Sequence, residues 1–210
     1  MGTPPKLDAK RIHSLTDATF AVAMTALIFQ INIPSGLNQE ALFNYFENKF
    51  IHDFFIFFIA FVLLGILWIG NHYYQSLIIN TNRFVSFLNI LFLSVICVIP
   101  FSAKLLIEYQ SEQFSFLFFS TNLILAKFLH FLLIVYSDKK GFFDTTTTIT
   151  QRQNIKSRIF APIIIQLLLI PLSFWLLELS FYLFLIPIIL YLIPEHFKLN
   201  IFRKEITTEI

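Results

Sequence analysis

An all-α polytopic membrane protein with six transmembrane helices is the fold class predicted by three features of this 210-residue sequence. Hydrophobic residues make up 57% and charged residues 13%, with 28 Phe and a mean hydropathy of +0.73, which lies outside the range of soluble domains. The apolar residues come in runs of about 20, the length that crosses a bilayer as a helix. These runs lack the alternating pattern of a membrane barrel, and a continuous helix satisfies every backbone polar group in lipid. Six spans use roughly 120 residues at that length, so the chain reads as a single membrane domain over 1–210. The net charge of +2 and pI near 8.6 are too mild and dispersed for a nucleic-acid partner. The single Cys97 excludes an internal disulfide and a multi-cysteine metal cluster.

The spans follow in order. The first, 14–33, has its apolar run from Ala18 to Ile33 and stops at Pro34, Ser35 and Gly36. Its basic front resembles a signal peptide, but Asp17 interrupts its start and no small-residue cleavage site follows. The next are 54–79, 84–107, 114–136, 159–177 and 181–193. Thr145 to Thr150 (TTTTIT) is the one low-complexity stretch and reads as a flexible connector. No fixed-period repeat appears, which withholds support from an inverted-repeat transporter.

Orientation follows from the bases. Twelve of the 15 Lys and Arg lie in the N-terminus, the second and fourth connections and the C-terminus. Lys49 and Lys104 alone lie in the odd connections, and Lys127 lies inside the fourth span. Short cytoplasmic loops retain positive charge during insertion, so both termini are expected in the cytoplasm.

Polar residues crowd the start of the first span: Arg11, His13, Ser14, Thr16 and Asp17. Ser14 to Asp17 fits a capping box, with the acid complementing the helix dipole. Capping leaves Arg11 unexplained. It stands six residues before Asp17 and would pair with it if the segment is helical or tightly turned. A stripe of small residues follows, Ala18, Ala21, Ala23 and Thr25, of the kind that lets membrane helices approach closely. Val22, Thr25, Ala26 and Phe29 stand at i, i+3, i+4 and i+7, one face of a helix.

The segment RIHSLTDATFAVAMTALIFQINIP resembles the opening helix of the transmembrane protein 175 family, prokaryotic potassium channels related to the endosomal and lysosomal channel. The family hallmark is RxxxFSD. Arg11 and Asp17 match its ends, while Leu15 replaces Phe and Thr16 replaces Ser. Trp68-Ile69-Gly70-Asn71-His72 is similar to the family's WxxHH, with Asn71 in place of the first His. Otherwise this segment reads as an interfacial aromatic belt, with Trp68 and Tyr73 at the headgroups. Asn89, followed by an apolar run ending in Pro100-Phe101, is a third likeness; otherwise the proline marks a kink rescued by neighbouring helices. The resemblance covers about the first half of the chain.

This resemblance implies a potassium-selective channel, a homotetramer whose first helices line a central pore without a P-loop filter. It implies pore positions at Val22, Thr25, Ala26 and Phe29, and a polar network of Arg11, Thr16, Asp17, Trp68, Asn71 and His72 below them. Phe29 stands where Leu is usual in the family. On this reading Ala18 and Ala21 pack the pore helix against spans two and three. The chain has no TVGYG segment, hence no carbonyl cage for potassium. An apolar ring that makes ions shed water favours potassium over sodium modestly, and Thr25 hydroxyls would offset part of that dehydration.

Lys127 and His130, three apart on one face of the fourth span, lie where an unpaired charge costs at least about 2.5 kcal/mol. They read either as a buried pair or proton relay, or as a snorkelling lysine in a span of shifted register. Asn89, Asn122 and Gln166 read as hydrogen-bonding links between helices, Glu178 as part of an outer hairpin, and His196 as a wetted terminus. The alternative function is a proton-coupled secondary transporter or proton leak using Asp17, His72, Lys127 and His130. No HExxH, GxSxG or paired catalytic carboxylates appear, so an enzyme is not expected. No cofactor or resident metal is implied; the expected partners are potassium ions and the lipid bilayer. Heavy use of Phe, Ile, Asn and Lys points to a multi-pass protein of a bacterial cytoplasmic membrane.

Overall fold

The computed structural model describes residues 9–183 and 186. Its elements are helices throughout: α1 (Ala9–Ile28), α2 (Gln39–Ser76), α3 (Arg83–Glu108), α4 (Gln113–Lys139), α5 (Ile149–Ser173) and the short α6 (Leu177–Leu183). Helices α2 to α5 are long and apolar enough to cross a membrane. The protein is therefore a multi-pass membrane protein. The sixth expected span, 181–193, lies almost wholly outside the described residues.

Helices α1, α2 and α5 differ most from the expected spans; α1 starts at Ala9, five residues before its span, and α5 ends at Ser173, four residues short of its own. Helix α1 ends at Ile28, five residues before the apolar run does. Beyond it, Pro34 lacks an N–H, Gly36 takes φ 78°, and the Tyr45 hydroxyl donates to the Asn32 carbonyl at 2.7 Å. Helix α2 begins at Gln39, fifteen residues before Phe54, because the Asn38 carboxamide accepts from the Ala41 N–H at 2.8 Å and caps it. With 38 residues it is about 57 Å long, well beyond a hydrocarbon core of about 30 Å. Phe46–Phe50 forms a π-helical turn within it. Helix α5 begins ten residues early, where the Thr148 hydroxyl accepts from the Gln151 N–H and the Gln151 carboxamide accepts from the Thr148 N–H. The threonine run is thus partly a helix cap, not simply a flexible connector, and Glu178 stands within α6.

Helix α3 is the centre of the bundle, packing against α1, α2 and α4, while α5 lies on α4 and α6 on α5. Phe92, Ile96 and Ile99 of α3 are fully buried with Phe20 of α1, Leu64 of α2, and Phe116, Leu123 and Ile134 of α4. Pro100 sits inside α3 and is itself buried; packing on several sides lets a membrane helix carry it.

The ends of α2 and α4 are tied together by an antiparallel bridge between Ile78 and Phe143. The Asp144 N–H donates to Leu77 O at 2.8 Å, and the Ile79 N–H to Phe142 O at 3.1 Å. Gly141, φ 67°, makes the turn after α4 that brings Phe143 there. Asp144 in turn accepts from the Thr146 N–H and hydroxyl, which hold its carboxyl below the ordinary range. At the same end Asp138 pairs with Arg152 at 3.2 Å and with Lys156, clamping α5 to α4.

Candidate pore helix and polar lock

Helix α1 has two unlike faces. Thr16, Phe20, Ala23 and Leu27 recur at helical spacing and are buried, with Phe20 against Phe92 of α3 at 5.9 Å between ring centres. Met24, half-buried, lies beside Gly65 of α2. The other face carries Leu15, Ala18, Ala21, Val22, Thr25 and Ile28, all exposed, with Val22 at 69%. Of the predicted pore positions, Val22 and Thr25 lie on this face, and Ala26 is half-buried at its edge. Phe29 is 78% exposed but stands in the turn after the helix. The Thr25 hydroxyl donates to the Ala21 carbonyl, so its proton is turned to the backbone and its oxygen keeps a free lone pair.

Two side-chain bonds fix how α1 is turned. The Asn89 carboxamide of α3 donates to the Thr16 hydroxyl oxygen at 3.0 Å in a buried contact, while that hydroxyl donates to the Ile12 carbonyl at 2.9 Å. The Trp68 indole N–H of α2 donates to the Asp17 carboxylate at 2.9 Å. His72, one turn on, stacks on Trp68 with ring centres 5.4 Å apart. These contacts join Asp17 to Trp68 and His72, and separately join Thr16 to Asn89.

Several expectations are corrected. Ser14 is already inside the helix and donates to the Lys10 carbonyl, so Ser14 to Asp17 is no capping box. Among the described residues no ion pair joins Arg11 to Asp17. Six residues along a helix means about 9 Å of rise and about 240° of turn, which puts the two on different faces. Ala18 and Ala21 are exposed and do not pack against α2 and α3; Ala23 does so in their place. Asn71 is fully buried without a hydrogen-bond partner, turned away from the Trp68–His72 stripe.

Lys127 does not snorkel. Its residue is 5% exposed, and Nζ has no hydrogen-bond partner. His130 is 1% exposed, stacked on Phe92 and edge-on to Tyr74, and its Nε2 has no hydrogen-bond partner. Asn122 does link helices, donating to the Ser102 hydroxyl at 3.1 Å, whereas Gln166 is buried with both side-chain polar atoms unsatisfied. Asp53 carried no signal beyond its charge in the sequence. It is 1% exposed and accepts from Gln110 at 3.2 Å, tying the α3–α4 turn to α2. Among the described residues no three His, Cys, Asp or Glu side chains converge as a metal site.

Residues 11–100 match the family model described as the endosomal/lysosomal potassium channel TMEM175. That segment contains Thr16, Asp17, Trp68, His72 and Asn89. A potassium channel of Streptomyces collinus is 28% identical over 106 residues, which is 50% of this chain and 51% of that protein. A potassium channel of Chamaesiphon minutus is 26% identical over 113 residues, 50% of this chain and 53% of that protein. The endosomal/lysosomal proton channel TMEM175 of Gallus gallus is 29% identical over 119 residues, covering 23% of its length. The chain spans about half the length of the two bacterial relatives it matches. The crystal structure of a lysosomal potassium-selective channel TMEM175 homologue from Chamaesiphon minutus superposes with a TM-score of 0.75. It covers 87% of this chain and 95% of that one at 19% identity, which makes the fold the same.

Proposed function

On the match of residues 11–100 to the TMEM175 family model, we propose that the chain is a member of that family and a potassium-selective ion channel of modest selectivity. The unit that conducts is a homotetramer, with α1 of each subunit facing a central axis and both termini in the cytoplasm. The observation that carries this reading is the unpartnered face of α1. Leu15, Ala18, Val22 and Thr25 are exposed on a helix that is bonded to α2 and α3 by Asp17–Trp68 and Thr16–Asn89. A helix held rigidly on one side and bare on the other supplies a wall, and several copies supply a pore.

Val22 forms the apolar constriction, and Thr25, one turn further, offers its hydroxyl oxygen to a partly dehydrated cation. Potassium sheds water at lower cost than sodium, so a narrow apolar ring favours it without a cage of carbonyls. Ala26 borders this surface, and Phe29 forms the mouth beyond the helix end. Thr16 with Asn89, and Asp17 with Trp68 and His72, form the inner polar base that sets the rotation of the wall, and Arg11 stands exposed beside it at the start of α1.

The experiment is the reversal potential of the purified protein in a planar bilayer with potassium on one side and sodium on the other. A sustained current reversing toward the potassium equilibrium potential is the expected result. A current that instead follows an imposed proton gradient, or saturable uptake without steady current, overturns this reading in favour of a proton pathway or transporter cycle.

A further inference from the structure

We propose that the seam between α4 and α5, apart from the α1 surface, holds a site for one small monovalent anion of the halide class, with Lys127 as its counter-charge. Three side chains carry the inference. Ser120, Lys127 and Gln166 are 1%, 5% and 0% exposed, and Ser120 Oγ, Lys127 Nζ and both polar atoms of Gln166 have no hydrogen-bond partner. Buried polar side chains are satisfied in the large majority of cases, and an unsatisfied group calls for an explanation, an ordered water or ion being one.

The three face the same seam. At 100° per residue, Ser120 and Asp138 each lie within about 20° of Lys127 around α4. Asp138 is paired across to Arg152 and Lys156 of α5, so this is the face α4 turns to α5. Around α5, Gln166 lies about 20° from Ile155 and Ser173; these two are buried, and Ser173 accepts from Gln113 of α4 at 3.3 Å. The Phe131–Phe160 contact and the Gln113–Ser173 bond fix the register. By interpolation between them Gln166 is level with about residue 123 of α4, between Ser120 and Lys127.

The set is rich in donors, with the Gln166 carbonyl and the Ser120 oxygen as its acceptors. The lysine brings three N–H groups, the glutamine amide two and the serine one O–H. The nearest carboxylate on that face, Asp138, is eleven residues away, about 16 Å along the helix, and is already engaged by two cations. Glu112, before the other end of α4, is further still. His130, about one turn from Lys127 on α4, packs against Tyr74 of α2 and Phe92 of α3, none of them an anion. The ligand that matches is an acceptor with one negative charge, small enough for a packed seam.

The test is thermal melting of the purified protein in potassium gluconate, potassium chloride and potassium bromide at equal potassium and equal ionic strength, for the wild type and Lys127→Met. Halide at ten times its dissociation constant is expected to raise the wild-type midpoint by about 3 °C or more over gluconate and to leave Lys127→Met unmoved. Equal wild-type midpoints in all three salts, or the same halide shift in Lys127→Met, overturns the proposal. Should Lys127→Met not fold, crystals of the wild type grown in bromide decide it. An anomalous peak beside Lys127 Nζ supports the site, and none there overturns it. Neither readout depends on whether the protein conducts potassium.

Discussion

The Trp68 indole N–H meets the Asp17 carboxylate at 2.9 Å across the α1–α2 interface. The bond is charge-assisted, and it anchors the polar end of α1 at the flank of the face that carries Val22 and Thr25, about 140° and 80° around the helix from them. Replacing Trp68 by Phe keeps an aromatic ring for His72 to stack on and removes only the donor. The expected loss is about 1 kcal/mol, at the low end for a bond to a charged group because the pair is solvent-exposed. That corresponds to about 2–4 °C in melting midpoint for a chain of this size. A midpoint equal to that of the wild type would show that the bond does not hold α1.

The Thr16–Asn89 contact is buried, so its removal costs more. Thr16→Val leaves the Asn89 amide without its acceptor and is expected to cost about 1–3 kcal/mol. Thr16→Val combined with Asn89→Leu removes both partners, so the double variant is expected to lose less than the sum of the singles, with a coupling of about 1 kcal/mol. Denaturant or thermal melts of the four proteins measure this. Strict additivity would mean that the 3.0 Å contact contributes nothing specific.

Asp138 joins α4 to α5 through Arg152 and Lys156, and all three side chains are partly exposed. Solvent therefore screens the cluster. Asp138→Asn leaves two cations facing each other and is expected to destabilise the protein by about 1 kcal/mol at low salt, and by less in 1 M salt. A loss that does not shrink with salt would assign Asp138 a role other than charge pairing.

What the sequence revealed, and what it did not, follows from the range of the interactions. Spans 84–107 and 114–136 lie within three residues of α3 and α4 at either end, because both helices stop where the apolar run stops. The early starts of α2 and α5 depend on Asn38 and Thr148 as caps, local signals that a hydropathy reading passes over. The motif residues Thr16, Asp17, Trp68 and His72 were legible through their resemblance to a family pattern. Their partners were not: Arg11 and Asp17 look paired in one dimension, and helical geometry separates them. The stripe of alanines was equally ambiguous, since small residues suit both a helix contact and a pore wall. Only the observed rotation of α1 puts Ala23 inside and Ala18 and Ala21 outside. Lys127 looked like a snorkelling residue because a long stem makes that possible, and no local pattern reveals that neighbouring helices close over it.

That rotation makes a sharp prediction for the pore reading. With Cys97 first replaced by Ser, since it is itself exposed, single cysteines at Val22, Ala23 and Thr25 sample both faces of α1. Val22→Cys and Thr25→Cys are expected to react with a small charged thiol reagent and to lose most of their current as the reagent enters the conduction path. Ala23→Cys, whose parent residue is 3% exposed, is expected to react at least about tenfold more slowly, because a buried thiol is inert. Val22→Ala, which widens the apolar ring, is expected to raise conductance and move the reversal potential toward non-selectivity. If Ala23 is modified as fast as Val22, or if Val22→Ala leaves conductance and reversal potential unchanged, Val22 is not the constriction. The bare face of α1 would then serve packing between copies, and the ion path would have to be sought elsewhere in the bundle.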